Sequence, residues 1–171
     1  MCPASKADWR PSASFEALQY RARLLQSLRA FFSGRGLLEV ETPVLSRAAI
    51  TDPHLQSFST QFLKQNYYLH TSPEFFMKRL LAAGSGDIYQ ICKVFRDDEQ
   101  GRYHNAEFTL LEWYRLDYDH HRLMDELVEL LDYLLQKLSL PPWPAPDKLT
   151  YQQAFLKYLN IDPLTASAGD L

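Results

Sequence analysis

The sequence predicts an α+β fold, an antiparallel sheet flanked by helices. Three observations lead there. Apolar residues recur at helical spacing in two long stretches, Leu24, Leu25, Leu28, Phe31 and Phe32, then Leu123, Leu127, Leu130, Leu131, Leu134 and Leu138. Two apolar, strand-like runs at residues 88–96 and 107–116 flank a short charged loop around Gly101, the pattern of a β-hairpin. Strands and helices intermix without the regular strand–helix–strand rhythm of a parallel sheet.

The elements follow in order. Residues 1–13 are polar and proline-bearing and read as a flexible arm. A helix over 14–33 ends at Gly34 and Gly36. Residues 37–42 read as a strand stopped by Pro43, and 46–57 as a loop. Segments 57–63 and 67–70 pair as short strands around Lys64, Gln65 and Asn66. Thr71-Ser72-Pro73-Glu74 starts a helix: Ser72 suits the cap, Pro73 the first helical position, and Glu74 the positive end of the dipole. That helix breaks at Gly84-Ser85-Gly86. Asp119 caps a long helix through about residue 138, Pro141 to Pro146 form a stiff linker, and a short strand-helix tail covers 149–159. Domain limits are therefore 1–13, 14–140 and 141–171.

Composition narrows the function. At 171 residues, 46% of them hydrophobic, the chain supports one folded domain with a core and is not a disordered segment. A net charge of −3 and a pI near 5.9 argue against a dedicated nucleic-acid binder. No apolar run approaches the roughly 18–20 residues of a membrane span, and the N-terminus lacks a signal-peptide core. Cys2 and Cys92 lie far apart without CxxC spacing, so a disulfide or zinc site is not expected, and a reducing cytoplasm is the default location. P-loop, dinucleotide-binding, hydrolase-elbow and HExxH patterns are all lacking, and His120-His121 reads as a solvated pair.

The hairpin carries the chemistry. Residues 94–114 pack two arginines, five carboxylates and a His-Asn pair around one glycine, more charge than a fold gains from. Phe108, Leu110, Glu112 and Tyr114 alternate onto one face, and Phe108 lies roughly 20 Å from Tyr114. An aromatic at one end can stack on a base, and a carboxylate and phenol at the other can hold an ammonium group. A half-buried strand with Phe108 and Leu110 in the core explains the same alternation, but Glu112 is costly there unless paired. Arg96 either clamps a phosphate or carboxylate through two parallel hydrogen bonds or pairs with Asp97, Asp98 or Glu99. Gly101 lets the loop turn, and Arg102 and His104 can face outer phosphates. Glu74 serves equally as an amine ligand or a helix-start charge.

These segments resemble the catalytic domain of the class II aminoacyl-tRNA synthetases, lysyl branch. Phe95-Arg96-Asp97-Asp98-Glu99 with residues 104–114 resembles motif 2; Gly36 to Pro43, with the helix before it, resembles motif 1, the dimer-forming motif; Thr71 to Glu74 resembles the amino-acid-binding segment. The chain is more similar still to the lysyl-tRNA synthetase paralogues that modify elongation factor P with (R)-β-lysine, through Glu112-Trp113-Tyr114-Arg115, residues 101–105 and residues 149–156.

The resemblance implies an ATP-dependent ligase that activates (R)-β-lysine or lysine as an adenylate and passes it to a lysine of elongation factor P, with Mg²⁺ accompanying ATP. By position it implies that Arg96 is catalytic, binding the α-phosphate and substrate carboxylate. Asp97, Asp98, Asn105 and Phe108 contact ATP; Ser72, Pro73 and Glu74 position the diamino acid, and Glu112 and Tyr114 recognise its amines. It implies a homodimer through residues 20–43 and, since no anticodon-binding module fits ahead of motif 1, no tRNA partner. Motif 2 of the family usually has Arg-x-Glu, where this chain has Arg96-Asp97-Asp98 followed by Glu99. Motif 3 is glycine-rich, yet after Gly101 the only glycine is Gly169. The expectation is a chain truncated before motif 3, with its metal ligands beyond that point, catalytically incomplete as given. The alternatives are a truncated lysyl-tRNA synthetase and a synthetase-like module kept for dimerisation or regulation without catalysis.

Overall fold

A computed structural model describes residues 11–97, 101–167 and 169. Backbone contacts divide the chain into two compact units, Met1–Leu140 and Pro141–Leu171.

The first unit opens with helix α1, Phe15–Gly34, capped by the Ser14 hydroxyl, which accepts from the Ala17 N–H at 3.1 Å. Leu28, Phe31 and Phe32 fall on one stripe and are its buried residues. Gly36, at φ +78°, supplies the left-handed turn that releases the chain into strand β1, Leu38–Glu39. The strand expected over 37–42 is thus only two residues long, followed by one further bond from Val40 N–H to the Tyr89 carbonyl. Beyond it the contact passes to side chains, where the Thr42 hydroxyl donates to Gln90 Oε1 at 3.0 Å.

Strand β2, Leu45–Ser46, pairs antiparallel with β4, Gln65–Leu69, which pairs in turn with β3, Ser59–Phe62. β2 lies where the sequence reads as the start of a loop; two residues carry no periodicity to reveal them. The β3–β4 turn is Leu63-Lys64, one position earlier than the expected Lys64-Gln65-Asn66, with φ of +50° and +62° at its two residues. Two-residue hairpin turns demand that geometry to match strand twist, and here it is imposed on non-glycine residues.

Helix α2 covers Glu74–Ala82 and stops where Gly84 and Gly86 adopt positive φ. Strands β5, Ile88–Phe95, and β6, Glu107–Tyr114, form the long hairpin in a continuous register from Ile88↔Tyr114 to Phe95↔Glu107. β1 joins the other edge of β5 in parallel, one departure from the expected antiparallel sheet. Helix α3, His120–Lys137, starts at Asp119, whose carboxylate accepts from the Arg122 N–H.

Strand alternation gives the hairpin two unlike faces. Tyr89, Ile91, Leu111 and Trp113 pack with Phe31, Phe32 and Leu130 of the two helices to form the core. Phe32, fully buried, stacks on Tyr89 at 4.9 Å between ring centroids. The opposite face carries Gln90, Cys92, Val94, Phe108, Leu110, Glu112 and Tyr114. Helices anchored on one side leave the other side of the same strands free to carry polar chemistry.

Arg115, just past β6, locks this arrangement. Its guanidinium reaches Asp87 at 2.8 Å and Glu126 at 2.8 Å, and Glu126, only 4% exposed on α3, also accepts from Trp113 Nε1 at 3.1 Å. A buried carboxylate is tolerable there because its charge is paired and both its oxygens meet donors.

In the second unit, helix α4, Tyr151–Leu159, carries a capping box between Thr150 and Gln153 and ends at Asn160 in the left-handed conformation. The strand expected ahead of it does not form; residues 141–150 have no regular structure, consistent with prolines at 141, 142, 144 and 146.

Candidate active site

Glu112 is the centre of the polar face. Tyr114, two residues along β6 and so on the same side, donates its O–H to Glu112 Oε1 at 2.6 Å. Ser72, ahead of α2, donates to Glu112 Oε2 at 2.7 Å. The same Ser72 oxygen accepts from the Glu74 N–H at 3.0 Å, the bond expected of a helix-start serine, although the helix proper begins at Glu74 with Pro73 in the cap position. Each carboxylate oxygen of Glu112 thus has one fixed donor and keeps capacity for another. Burial pushes the Tyr114 phenol well above its ordinary range, helped by its bond to Glu112 and by the charges of Glu112 and Glu74, so it remains a donor.

A cleft of about 570 Å³ opens over this carboxylate, lined among others by Thr71, Ser72, Glu74, Arg96, Leu110 and Glu112. Three carboxylates, those of Asp52, Glu74 and Glu112, and one guanidinium therefore line a common space. Glu74 also pairs with Lys78 one turn along α2. Arg96 follows β5; its backbone N–H donates to the Ala106 carbonyl at 2.9 Å, and its Nε to the Thr71 carbonyl at 3.4 Å. Its guanidinium carbon lies 5.1 Å from the centre of the ring of Phe108, the residue across the hairpin from Val94. Arg96, Phe108, Leu110, Glu112 and Tyr114 succeed one another along the hairpin, as the alternation predicts.

Asp97 N–H donates to the Gln56 carbonyl at 2.9 Å, and Gly101 and His104 exchange backbone bonds at 3.4 and 3.2 Å. His104 and Asn105 are exposed. Asp98 and Glu99, the alternative motif 2 acids, lie outside the described residues.

Two features escaped the sequence reading. The segment 50–55, read only as loop, forms a wall of the cleft through Ile50, Thr51, Asp52, Pro53 and Leu55. Asp52 turns this wall, accepting from the His54 N–H at 2.8 Å, and its Asp-Pro signature was the available signal. Cys92 and Gln90 also share the face of Glu112. Burial pushes the Cys92 thiol up to about 11; a hydrogen bond from Gln90 opposes this and the Glu112 charge adds to it. A thiol held there is not a nucleophile near neutral pH. Among the described residues no cluster of three or more His, Cys, Asp or Glu could hold a metal ion, and no helix is long and apolar enough to cross a membrane.

A family model described as tRNA synthetases class II (D, K and N) matches residues 4–165. Two similar proteins are each named elongation factor P--(R)-beta-lysine ligase. The one from Vibrio vulnificus is 51% identical over 172 residues, 97% of this chain and 51% of its own. The one from Photobacterium profundum is 50% identical over 169 residues, 95% of this chain and 50% of its own. The chain spans about half the length of the curated relatives it matches. A crystal structure described as a putative aspartyl-tRNA synthetase from Leishmania major Friedlin superposes with a TM-score of 0.63 over 71% of this chain and 23% of that one. At 21% identity that likeness speaks for the fold alone.

Proposed function

The chain belongs to the class II tRNA synthetases of the D, K and N group, and on that premise we propose that its cleft serves an ATP-dependent ligase. The ligase activates (R)-β-lysine or lysine as an aminoacyl-adenylate and transfers it to a lysine of elongation factor P in the cytoplasm. The observation that carries this reading is the Glu112 carboxylate, fixed by Ser72 and Tyr114 and facing the same cleft as Glu74 and Arg96. Glu112 and Glu74, with the Arg96 guanidinium, complement a diamino acid whose carboxylate meets a phosphate. The names of relatives near 50% identity support the same substrates.

In this reading Glu112 and Tyr114 receive the amines while Ser72, Pro73 and Glu74 position the backbone of the substrate. Phe108 stacks on adenine, with Asp97, Asp98 and Asn105 at its edge. Arg96 binds the α-phosphate and the substrate carboxylate together. That carboxylate attacks the α-phosphorus: one O–P bond forms, the bond to the β-phosphate breaks, and pyrophosphate leaves. Arg96 stabilises the charge gathering on the phosphoryl oxygens. No protein nucleophile is needed, since the site contributes orientation and electrostatics. Mg²⁺ comes with the triphosphate; the described residues offer no cluster to hold it alone.

A homodimer through residues 20–43 belongs to the same proposal, supported by Leu38 at 57% exposure. Sedimentation that stays monomeric at all concentrations rejects the dimer without touching the site. Equilibrium dialysis and pull-down test the function. β-Lysine binding that is weakened about 10–100-fold in E112Q, with capture of elongation factor P and not tRNA, is expected. Capture of tRNA and not the factor overturns the proposal in favour of a lysyl-tRNA synthetase. ATP–pyrophosphate exchange by the chain alone, if robust, removes the expectation that motif 3 is required.

A further inference from the structure

Of the three carboxylates that line the cleft, two are engaged by neighbouring side chains. Glu112 accepts from Ser72 on one oxygen and from Tyr114 on the other. Glu74 pairs with Lys78 one turn along α2. Asp52 differs. Its Oδ1 accepts from the His54 N–H at 2.8 Å, and among the described residues no cation pairs with it.

Asp52 is exposed, yet the chain around it is held in place. Its carbonyl accepts from the Leu55 N–H at 3.3 Å, and Pro53 after it has a fixed φ. The ends of the loop are drawn together where the Ile50 N–H donates to Ser57 Oγ at 3.4 Å. The Gln56 carbonyl then accepts from the Asp97 N–H at 2.9 Å, in an isolated antiparallel bridge to the residue that follows Arg96. Asp52 therefore belongs to a wall pinned at the Arg96 end of the hairpin. Glu112 lies farther along β6, about 13 Å from Phe108, the ring beside the Arg96 guanidinium.

Donor counting shows what the cleft still lacks. A diamino acid brings two ammonium groups, each with three N–H donors, and one carboxylate. After Ser72 and Tyr114, each Glu112 oxygen has one acceptor position left. Those positions fall short of the ligand's donors, and a donor shut away from water without a partner is costly. The shortfall has a location. One ammonium sits on the first or second carbon from the carboxylate, so a carboxylate held by Arg96 keeps that ammonium at the Arg96 end. The aliphatic stem carries the other ammonium toward Glu112 and Tyr114.

We propose that Asp52 is a specificity residue of the cleft: its carboxylate is the further acceptor for the ammonium beside the substrate carboxylate. Arg96 and Asp52 then meet the carboxylate and ammonium of the amino-acid end as charges of opposite sign. The inference rests on the ligase reading and deepens it, because the ammonium it assigns to Asp52 is the one whose position distinguishes lysine from β-lysine.

NMR titration of the labelled chain with lysine, β-lysine, 6-aminohexanoate and ATP tests the role. 6-Aminohexanoate keeps the carboxylate, the stem and the far ammonium, and lacks the near one. Asp52→Asn is the informative variant, since its amide oxygen can still accept from the His54 N–H and keep the turn. D52N is expected to weaken lysine and β-lysine about tenfold and to leave 6-aminohexanoate and ATP unchanged. E112Q, by contrast, weakens all three amines and spares ATP. Lysine and β-lysine bound by D52N as tightly as by the wild type overturn the role of Asp52. So does a D52N loss shared equally by 6-aminohexanoate or ATP, which marks a damaged wall and not a lost ion pair. In each of these cases an intact E112Q effect leaves the ligase reading standing. Absence of lysine and β-lysine binding by the wild type overturns the ligase reading itself, and this inference with it.

Discussion

Ser72 and Glu112, forty residues apart in sequence, are joined by a 2.7 Å hydrogen bond that ties the start of α2 to the middle of β6. The direction of that bond is fixed. The Ser72 oxygen already accepts from the Glu74 N–H, and an ionised carboxylate only accepts, so the hydroxyl proton points to Glu112. One serine thereby orders a helix start and aims a carboxylate, and Tyr114 completes the aim from the other oxygen.

Separating the two jobs of Ser72 is a direct test. Ser72→Ala removes the Glu112 bond and the helix-start bond, and lowers stability by about 1 kcal/mol. Glu112→Gln leaves the helix start intact. Diamino-acid binding, measured by calorimetry, is expected to fall about 10–100-fold in E112Q and about tenfold in S72A. Equal affinity in wild type and E112Q means that the carboxylate does not receive the amine.

The same bond explains what the sequence disclosed and what it hid. The alternation in β6 was enough to place Phe108, Glu112 and Tyr114 on one face, because strand period is a local property. The Thr71 to Glu74 start signal was equally local. The two-residue strands β1 and β2 were misjudged because each is fixed by a partner distant in sequence, β5 for β1 and β4 for β2; the turn at Leu63-Lys64 is local, but its positive φ falls on residues that carry no turn signature. Segment 50–55 became a wall of the cleft by tertiary placement, and only Asp52-Pro53 hinted at an ordered turn. His70 and Thr71 look like ordinary strand-end residues, and only the fold shows that His70 Nδ1 and Thr71 Oγ1 are buried with no hydrogen-bond partner among the described residues.

Arg115 carries the second prediction. Its side chain is 9% exposed and divided between Asp87 and Glu126, so Arg115→Leu leaves two acids, one of them 4% exposed, without their cation. Removing one partner of a buried pair costs about 3–5 kcal/mol. The double variant R115L/E126L removes the stranded charge on α3 and is expected to recover much of that loss. Urea unfolding monitored through Trp113 and the other tryptophans reads both. If the double variant is no more stable than the single one, the Glu126 charge is not what makes the loss large.

Alkaline pH gives a third. Burial, then the Glu39 hydrogen bond and charge, push the Tyr89 phenol up to about 12, with Arg29 opposing, and the Tyr114 phenol is raised beyond that. Below about pH 10 both phenols are protonated whether the chain is folded or not, and their contribution is complete. Above about pH 10 the unfolded chain releases protons that the folded one retains, so stability falls by about 1.4 kcal/mol per pH unit for each. Urea midpoints should be steady on this account up to about pH 9, where Cys92 begins to add the same sign, and then decline. Tyr89→Phe is expected to make the decline between about pH 10 and 12 shallower. A midpoint that rises over that interval contradicts the burial of these phenols.

Arg96 and Phe108 support the last prediction. With the guanidinium carbon 5.1 Å from the ring centre, the arginine sits between the place proposed for adenine and the carboxylate end of the cleft. A planar fork there can hold a phosphate and a carboxylate at once, whereas an ammonium acts as a single point charge. Arg96→Lys keeps the charge and loses the fork. It is expected to weaken ATP binding about tenfold or more, with lysine binding reduced far less, because the amines are held elsewhere by Glu112 and Tyr114. Phe108→Leu, which removes only the stacking surface, should weaken ATP and leave lysine unchanged. Calorimetric titrations of both ligands into both variants separate the contributions. If R96K loses lysine and ATP equally while its unfolding midpoint is unchanged, the guanidinium serves the amino acid as much as the nucleotide, and the linear order of the site has to be redrawn around it.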